Sequence, residues 1–479
     1  MSKFNQNNTI KTVNIEGHVA YAMSDKSKLV TQVLTSFFNE SKFYGDNSSD
    51  MQETIISVIK EDPEFISKLA VFARCVFNMR SVSHVLTAYL AHENEGKIYV
   101  RDTIKGVAQR GDDLTEIMAF YLDTFGKPIP NSLKKGINDV IIGFDEYTLA
   151  KYKGNGKTVK MRDLLCLCRP TPKNEEQAAT FKRCLEGKLQ TPVTWETELS
   201  AHGNNTETWE KLIDRGKVGY MALLRNLSNI IKANPANIEK VYNRLQNAES
   251  IKRSKQLPFR YLSAYKTIQP IASKKAFDVL ENAVDTAVSN LPYLPGKTII
   301  AVDVSGSMDS HISAKSNIRC CEIAMMLGVI ANRICEDSEF YTFNFNICKY
   351  PISTRSGIIE TTLNNCDCGG GTDMSLIFTT MIEKNTKADR VIILSDNMCN
   401  MGTSFWNHST VQSLADNYRR KSNNDLWVHA IDLQGYGTQQ FHGTRTNIIA
   451  GWSEKVFDFI LLAEQGEGKL IDTIKNYEW

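Results

Sequence analysis

The chain has 479 residues, of which 42% are hydrophobic and 23% charged. This is the composition of a folded protein of roughly two to four domains, and it excludes a disordered or fibrous chain. The net charge of +2 is unevenly divided, since residues 1–295 carry 40 Lys and Arg against 33 Asp and Glu, whereas the remainder carries 16 against 21. The first part therefore suits a polyanion and the second a cation.

The lengths of the apolar runs and the spacing of the cysteines narrow the class of protein further. The sequence has no apolar run of about 18 residues and no apolar signal core in its polar start, so we predict a cytoplasmic protein without a membrane partner. Its eleven cysteines include the pairs Cys166/Cys168 and Cys366/Cys368, but no CxxC. Because zinc sites usually separate their cysteines by about two to four residues, we expect free or buried thiols rather than a cysteine metal site.

Apolar residues at helical spacing run from about Ser27 to Leu291. The segment from Val30 to Phe38, for example, places its apolar side chains three or four residues apart, on one face of a helix. Further helices are predicted at 51–60, 64–77, 81–93, 114–124, 131–140, 175–186, 208–215, 218–231, 236–247 and 271–290. Helices this short and numerous predict stacked antiparallel pairs, an all-α helical repeat with a long concave surface, although no fixed sequence period is present.

The pattern changes after Pro292–Gly296, where strands and helices begin to alternate. Strands are predicted at 298–302, 339–345, 391–394, 426–431 and 447–450, and helices at 315–336, 374–384, 408–421 and 468–477. This alternation predicts an α/β domain with a doubly wound parallel sheet. Ligands bind at the carboxyl ends of the strands in such sheets, so Asp303 and Asp396, which follow apolar strands, are expected at one edge.

Oxygen-bearing side chains follow the first of these strands in a tight turn, at Asp303, Ser305 and Ser307. Mg²⁺ takes about six oxygen ligands and keeps several waters, so further protein ligands must come from other loops. A glycine-rich segment that contains Thr372, and the strand end at Asp396, are the natural suppliers, because glycine lets the backbone approach closely. We therefore predict a divalent metal site, with magnesium as the expected ion, formed by these five residues.

The five oxygen-bearing residues resemble the metal-ion-dependent adhesion site of von Willebrand factor A domains, and the resemblance covers the α/β part of the chain. It implies that Ser305 and Ser307 bind the metal directly and that Thr372 is the ligand from the third loop. It also implies that Asp303 and Asp396 coordinate directly or through water, and that an acidic group of a partner completes the shell. Two alternatives are weaker: loops that are merely turns, and a phosphoaspartate hydrolase, which needs a second Asp where this chain has Ser305.

The most basic stretch of the helical part runs from Lys151 to Arg162 and continues through Arg169. Cations for phosphates and an aromatic ring, here Tyr152, are typical of a single-stranded RNA contact. From charge alone, a solvated loop between helices is an equal alternative. Gly156–Thr158 imitates the end of a phosphate-binding loop, but the glycine required five residues earlier is Lys151 and no strand precedes it, so we reject nucleotide binding.

A helical repeat that leads into such an A domain resembles the Ro ribonucleoprotein, or TROVE-domain, family. The supporting segments are Leu149–Lys153, Arg162–Leu165, Gly219–Leu227, Leu257–Phe259 and Ala301–Met308. The resemblance spans nearly the whole chain. It implies a HEAT-like helical RNA-binding domain over residues 1–291, which forms a ring, and a von Willebrand factor A domain over residues 296–479, which closes that ring.

In functional terms, the resemblance implies a non-catalytic, monomeric protein of RNA quality control. The expected partners are small noncoding Y-like RNA on the outer basic surface, single-stranded 3′ ends of misfolded RNA in the central hole, and an exoribonuclease. The family's RNA-contacting cluster falls on Lys151, Lys153, Lys157 and Arg169. Arg169 stands where the family often has a histidine, and it would bind phosphate without titrating near neutral pH.

The remaining candidate residues receive a structural interpretation. Lys252, Arg253 and Lys255 form a second basic cluster without motif support, and His84 and His202 have no acid or nucleophile spaced to use them. With no Ser/His/Asp or Cys/His constellation in the sequence, we predict a binding protein and not an enzyme. The alternative functions are a metal-dependent protein-interaction scaffold that binds an acidic partner through the A domain, and a metal-dependent nuclease.

Overall fold

A computed structural model describes residues 11–13, 19–35, 49–289, 291–312, 316–353, 355–400, 410–436, 438–451, 453–465 and 470–479. Within these ranges the chain divides into two compact units, which we name the helical unit (residues 25–197 and 471–479) and the α/β unit (residues 1–24 and 198–470). The helices placed by the structure include none long and apolar enough to cross a membrane. The domain boundary predicted between residues 291 and 296 stays a prediction. The two compact units divide after residue 197, so the helices that follow belong to the same unit as the sheet.

The first part of the chain is helical, as its apolar spacing predicts. Its helices are α1 Asp25–Thr35, α2 Ser49–Glu61, α3 Pro63–Cys75, α4 Ser81–His92, α5 Val100–Val107, α6 Gly111–Phe125, α7 Asn131–Ile141, α8 Glu146–Lys151, α9 Met161–Cys168, α10 Glu175–Glu186 and α11 Trp195–His202. Helix α3 packs on α4 and α5, α4 also packs on α6, and α5 packs on α7. This packing of each helix on its next neighbours is typical of a stacked helical repeat.

The helices continue into the α/β unit. They are α12 Thr206–Asp214, α13 Tyr220–Arg225, α14 Leu227–Ala233, α15 Ile238–Gln246, α16 Ala248–Ser254, α17 Pro258–Ile268 and α18 Lys274–Val288. The single helix predicted over 218–231 is wrong, because the chain breaks between α13 and α14 at Asn226 (φ −97°, ψ 9°). The Asn226 side chain donates to the Ala222 carbonyl at 2.9 Å, which is the local competition that makes Asn a poor interior helix residue.

The sheets contain strands β1 Lys11–Val13, β2 Val19–Ala22, β3 Leu294–Asp303, β4 Cys335–Phe343, β5 Ile347–Tyr350, β6 Arg390–Ser395, β7 Trp427–Asp432, β8 Thr438–Gln439 and β9 Thr446–Ala450. A small sheet has the order β1-β2-β8, and a six-stranded sheet has the order β5-β4-β3-β6-β7-β9. In the larger sheet every neighbouring pair is parallel except β4 and β5. The predicted parallel sheet therefore carries one antiparallel edge strand, which the sequence pattern did not indicate.

Helices cover both faces of the larger sheet, as expected for a doubly wound domain. The helices after β3 are α19 Cys320–Ile334, α20 Ile358–Leu363, α21 Ser375–Glu383, α22 Val411–Lys421, α23 Val456–Glu464 and α24 Leu470–Lys475, of which α24 belongs to the helical unit apart from its first residue. On one face, α21 and α22 pack on β3, β4, β6 and β7 around the buried Phe378 and Tyr418. On the other face α19 lies so close that a Cβ on Gly328 would come within 2.7 Å of Val302.

The register of the sheet sets up the site. Asp303, Ser395 and Asp432 are the last residues of β3, β6 and β7, and Ser395 pairs directly with Asp432. Parallel neighbouring strands end at the same edge, so these polar side chains and the loops that follow them meet there. The residues 299–302, 391–394 and 430–431, which precede these strand ends, are buried and apolar.

Candidate metal centre and nucleic-acid interface

Three loops meet at the carboxyl edge of the sheet, and backbone hydrogen bonds join them. The amide of Gly306 donates to the Gly370 carbonyl at 2.9 Å, and the amide of Gly369 donates to the Val304 carbonyl at 2.9 Å. Gly370 has φ +76°, and a Cβ there would meet the Phe345 ring at 2.2 Å, so this turn requires glycine. The loop after β3 and the glycine-rich loop are therefore held as one surface.

The third loop, after β6, is tied to the glycine-rich loop through Thr372. The Thr372 amide donates to Asn400 Oδ1 at 2.7 Å, and the Asn400 amide donates back to the Thr372 carbonyl at 3.1 Å. Thr372 itself is almost fully buried. Asn400 was not predicted from the sequence, because its role depends on a contact between two distant loops.

Asp303 lies at the centre of this arrangement and is fully buried. Its Oδ1 accepts from the Ser305 amide at 2.8 Å, and its Oδ2 accepts from Ser395 Oγ at 2.5 Å. Ser305 Oγ lies 3.2 Å from Ser307 Oγ. Burial, and then the nearby charge of Asp396, raise the pKa of Asp303 to about 7. Two carboxyl groups therefore lie close together away from solvent.

A third buried acid, Asp432, lies at the same edge. It accepts from the amides of Gln434 and Gly435 at 2.9 Å, and burial raises its pKa to about 6. The signal that could have identified it is the one used for Asp303 and Asp396, a carboxylate at the end of an apolar strand. Sequence reasoning missed it because no motif spacing pointed to it.

The donor set at this edge fits a hard divalent cation. Carboxylate and hydroxyl oxygens of Asp303, Ser305, Ser307 and Asp396 are the ligands that Mg²⁺ prefers. Buried carboxylates that repel one another are costly without an opposing charge, and a cation between them would offset that repulsion. The structure thus brings Asp303, Ser305, Ser307 and Asp396 together, with Thr372 on an adjoining, hydrogen-bonded loop.

The predicted RNA-contacting lysines lie in the helical unit, where Lys151, Lys153 and Lys157 line one cavity of about 330 Å³. Arg110, which sequence reasoning missed, lines it as well, together with acidic Asp112. The three lysines are exposed. Cationic groups from the N-cap of α6, from the end of α8 and from the segment after α8 are thus concentrated around one opening.

Aromatic rings accompany these cations. Lys151 Nζ lies 5.7 Å from the centroid of Tyr147 and 5.4 Å from that of Tyr152, and the Arg110 guanidinium lies 5.5 Å from Tyr152. Tyr152 also packs against Gly111, where a Cβ would come within 2.6 Å of its ring. Tyr147 is 49% exposed and is therefore the ring more available for stacking on a base.

Arg169, the fourth predicted residue, does not line this cavity. It is exposed and follows α9 with a left-handed backbone (φ 53°). Lys157, by contrast, forms an ion pair with Glu116 of α6. The sequence cluster therefore separates into three lysines at the cavity and an arginine at the end of a helix.

The fold and the three-loop oxygen site together define a protein that joins a helical repeat to a von Willebrand factor A-type domain. The chain belongs to the TROVE-domain family, whose model matches residues 14–187 and 186–339. The Ro60 vWA domain model matches residues 297–440. The family resemblance drawn from the sequence is confirmed.

Individual relatives agree with this assignment. The chain is 25% identical over 331 residues to telomerase protein component 1 of Rattus norvegicus, covering 51% of this chain but 13% of that protein. It is 29% identical over 211 residues to RNA-binding protein RO60 of Caenorhabditis elegans, covering 40% of this chain and 32% of that protein. The chain thus spans about an eighth to a third of the length of these curated relatives.

Among solved structures, the chain is similar to the Ro (RSR) protein of Deinococcus radiodurans. The two match with a TM-score of 0.66 and 16% sequence identity, over 93% of this chain and 100% of that chain. At this identity the likeness shows a shared fold. The predicted fold class, a helical N-terminal part followed by an α/β domain of the von Willebrand factor A type, is confirmed.

Proposed function

We propose that this protein is a non-catalytic RNA-binding protein, and that the cavity lined by Arg110, Lys151, Lys153 and Lys157 is part of its RNA interface. The observation that carries the proposal is the convergence of these cations and the Tyr152 ring on one opening in the helical unit, with the exposed Tyr147 ring beside Lys151. Cations that follow a phosphate backbone and a ring that stacks on a base are the two elements of single-stranded RNA binding. Membership of the TROVE family, and the name of the Caenorhabditis elegans relative, support it.

Two kinds of RNA fit the proposal. Small structured noncoding RNA of the Y type would be held mainly through phosphates and shape, and single-stranded 3′ ends of misfolded RNA would add base stacking. An exoribonuclease as a further partner, and a cytoplasmic location, belong to the same proposal. Sequencing the RNA that copurifies with the full chain identifies the bound class.

Neutralising the predicted cluster should weaken RNA binding and flatten its salt dependence. In a variant with Lys151, Lys153, Lys157 and Arg169 all changed to Ala, each lost phosphate contact should reduce the slope of log affinity against log salt by about 0.7–0.9. The measurement is a titration of the full chain with a small structured RNA and with a single-stranded RNA, at several salt concentrations. Changing Arg169 alone to Ala should weaken RNA binding less than changing one of the three lysines, since Arg169 lies outside the cavity.

A matched control is available in the second basic cluster, Lys252, Arg253 and Lys255, whose side chains are also exposed. Changing these three to Ala alters net charge similarly but should leave the slope near that of the wild type. Equal affinity and equal slope for the cavity variant and the wild type would exclude the cavity as the interface. RNA that is cut during a long incubation with Mg²⁺ would instead favour the nuclease alternative.

We also propose that Asp303, Ser305, Ser307, Thr372 and Asp396 hold a divalent cation, with Mg²⁺ as the expected ion. The oxygen-only donor set and the two buried carboxylates support it. When bound, the ion supplies positive charge at the sheet edge and a position for an acidic ligand of a partner. The chain's own residues fix the three loops around it through the Gly306, Gly369 and Thr372 amides.

Magnesium should raise the unfolding temperature of the wild-type chain, and Asp303→Asn should abolish that rise. A ligand present at 100 times its Kd stabilises the folded state by about 2.7 kcal/mol. Thermal unfolding with and without Mg²⁺ measures the effect, and calorimetric titration gives the affinity. As a control, Asp337→Asn removes an exposed carboxylate at the opposite end of the strands. This variant should keep the rise of the unfolding temperature with Mg²⁺. An unchanged response in Asp303→Asn would refute the site.

A further inference from the structure

A second cluster of metal-binding side chains lies beside the oxygen site, and it contains sulfur. Asp309 ends the 3-10 turn that begins at Gly306, Cys321 is the second residue of α19, and Cys368 directly precedes the glycine-rich loop. A carboxylate oxygen of Asp309 and the sulfurs of Cys321 and Cys368 all lie within 4.8 Å of one another. Three groups that can be anionic thus converge from three segments of the chain.

Hydrogen bonds hold these segments in place. The Cys320 amide donates to the Ser310 carbonyl at 2.9 Å, which fixes the start of α19 against the turn. The Cys366 thiol lies 3.0 Å from the Thr362 carbonyl and 3.6 Å from the Cys321 carbonyl. Arg319 donates to the Cys366 carbonyl at 3.2 Å. The cysteine-bearing loop is therefore fastened to the helix that supplies Cys321.

The electrostatics favour a thiolate at Cys321. Hydrogen bonds from the thiols of Cys366 and Cys368, together with the charge of Arg319, lower the pKa of Cys321. Arg319 Nη1 also lies 2.6 Å from Asp309 Oδ1 and orients that carboxylate. The hydrogen bond to Cys321 raises the pKa of Cys368, which stays a thiol without a metal, so one thiolate and one carboxylate face one guanidinium and leave one excess negative charge. A divalent cation would neutralise that excess.

We propose that Asp309, Cys321 and Cys368 bind a thiophilic divalent cation of the zinc class, with Cys366 as the nearest fourth donor. Zinc takes four ligands in a tetrahedron, at about 2.3 Å for sulfur and 2.0–2.2 Å for carboxylate oxygen, so its ligand atoms lie roughly 4 Å or less apart. The separation of the three donor atoms approaches that spacing. The one-residue gap between Cys366 and Cys368 is short for zinc, but Cys321 supplies a sulfur from another segment.

The position of this sulfur site gives it a structural consequence. Cys368 is followed by Gly369, whose amide bonds to Val304 in the loop of the oxygen site. Asp309 lies two residues after Ser307 in that same loop. An ion held by Asp309, Cys321 and Cys368 would therefore brace two of the three loops that present oxygen ligands. The proposal does not rest on RNA binding.

Cobalt(II) is the probe that separates this site from the oxygen site, because only cobalt bound to thiolate shows a sulfur-to-metal charge-transfer band in the near ultraviolet. The full chain, reduced and freed of metal, is titrated with Co²⁺ and then with Zn²⁺. We expect the band to appear at one equivalent of Co²⁺ and to disappear as Zn²⁺ displaces it. Cys321→Ser and Cys368→Ser should each abolish the band, and Asp309→Asn should weaken binding.

The control is Cys348→Ser, which removes an exposed thiol of β5 outside the cluster and should leave the band unchanged. Cys321 is buried, so Cys368→Ser and Asp309→Asn, at more exposed positions, keep the test valid if Cys321→Ser misfolds. Zn²⁺ should also protect Cys368 from alkylation, as measured on peptides by mass spectrometry. No band, a band that survives Cys368→Ser, or a Cys321–Cys368 disulfide that forms in air despite Zn²⁺, would overturn the proposal.

Discussion

Replacing Asp113 by Asn should lower the free energy of unfolding of the helical unit by about 3–5 kcal/mol. Asp113 is fully buried in α6, where its Oδ1 accepts from Arg80 Nε at 2.6 Å and lies 3.1 Å from His84 Nε2. Its Oδ2 accepts from the Arg110 amide at 2.8 Å and from Arg74 Nη2 at 3.4 Å. One carboxylate therefore links α3, α4 and the start of α6, and its loss leaves a buried arginine uncompensated.

The same network makes the stability of the helical unit depend on pH. Burial alone would raise the pKa of Asp113, but the hydrogen bond with His84 and the charges of Arg80 and Arg74 lower it far below its usual range. A depressed folded-state pKa gives stability that is complete above the unfolded value of about 3.9 and is lost as pH falls toward the folded value. The wild type should therefore lose stability below about pH 4 more steeply than Asp113→Asn.

Because a chain with two compact units need not unfold in one step, the measurement combines urea unfolding with hydrogen exchange of peptides from α3, α4 and α6. The control is Asp123→Asn, an exposed carboxylate in the same helix, which should change stability by less than about 0.5 kcal/mol. Equal protection of the α6 peptides in wild type and Asp113→Asn would show that the network contributes little. His84 belongs to this network through its contact with Asp113, and its structural role stays a prediction that this experiment tests.

Elements with strong local signals were predicted from the sequence nearly to the residue. Helix α10 occupies the predicted residues 175–186, because Asn174 caps its start by accepting from the Gln177 amide and Gly187 ends it with φ +72°. The buried strands β3, β6 and β7 were found because runs of Val and Ile mark them. Helices α8 and α9 were missed, since they are short and interrupted by the Gly- and Lys-rich stretch between them.

The two candidate metal sites show why some sites can be predicted and others cannot. Asp303, Ser305 and Ser307 share one turn, and Asp396 ends another apolar strand, so strand order alone places them at one edge. The sulfur cluster has no such local signature, because Asp309 and Cys321 meet only through the packing of α19. The spacing of Cys366 and Cys368, taken alone, argued against a metal site. Only the tertiary structure shows that Cys321 lies beside Asp309 and Cys368.

In the α/β unit, the change with the largest expected effect is Glu464→Gln, with a loss of about 3–5 kcal/mol. Glu464 Oε1 accepts from Arg390 Nε at 2.7 Å, and its Oε2 accepts from Arg390 Nη2 at 2.9 Å. His429 Nε2 lies 2.9 Å from Glu464 Oε1, and Arg390 Nη1 donates to Thr298 at 2.9 Å. Arg390 is 4% exposed, so a neutral partner leaves its charge buried and unpaired.

His429 completes this network in its neutral form. Burial lowers the pKa of His429, although the hydrogen bond with Glu464 opposes that shift. The side-chain nitrogen Nδ2 of Asn447 lies 3.3 Å from His429 Nδ1, so Nδ1 accepts while Nε2 donates to Glu464. This tautomer satisfies both ring nitrogens without a positive charge. The unfolded chain takes up a proton below about pH 6.5, so this contribution to stability decreases as pH falls below that value.

Glu464 makes the stability of the α/β unit depend on pH in a second, more acidic range. Burial would raise its pKa, but the bonds from His429 and Arg390 lower it to about 2. Its contribution is therefore complete above the unfolded value of about 4.3 and is lost as pH falls from there toward 2. We expect the urea midpoint of the wild type to decline in two steps, the first below pH 6.5 from His429. In Glu464→Gln the step below pH 4.3 should be smaller, and what remains of it comes from other carboxylates such as Asp113.

The matched control for this prediction is Asp458→Asn in the same helix, α23. Asp458 pairs with Lys455 at 3.2 Å, but both side chains are more than a third exposed, so its loss should cost about 0.5 kcal/mol or less. Hydrogen exchange of β6 and β7 peptides localises the effect, because Arg390 and His429 lie on those strands. If Glu464→Gln and Asp458→Asn leave those peptides equally protected, the buried ion pair is not what secures α23 to the sheet. A selective loss in Glu464→Gln would show that it is.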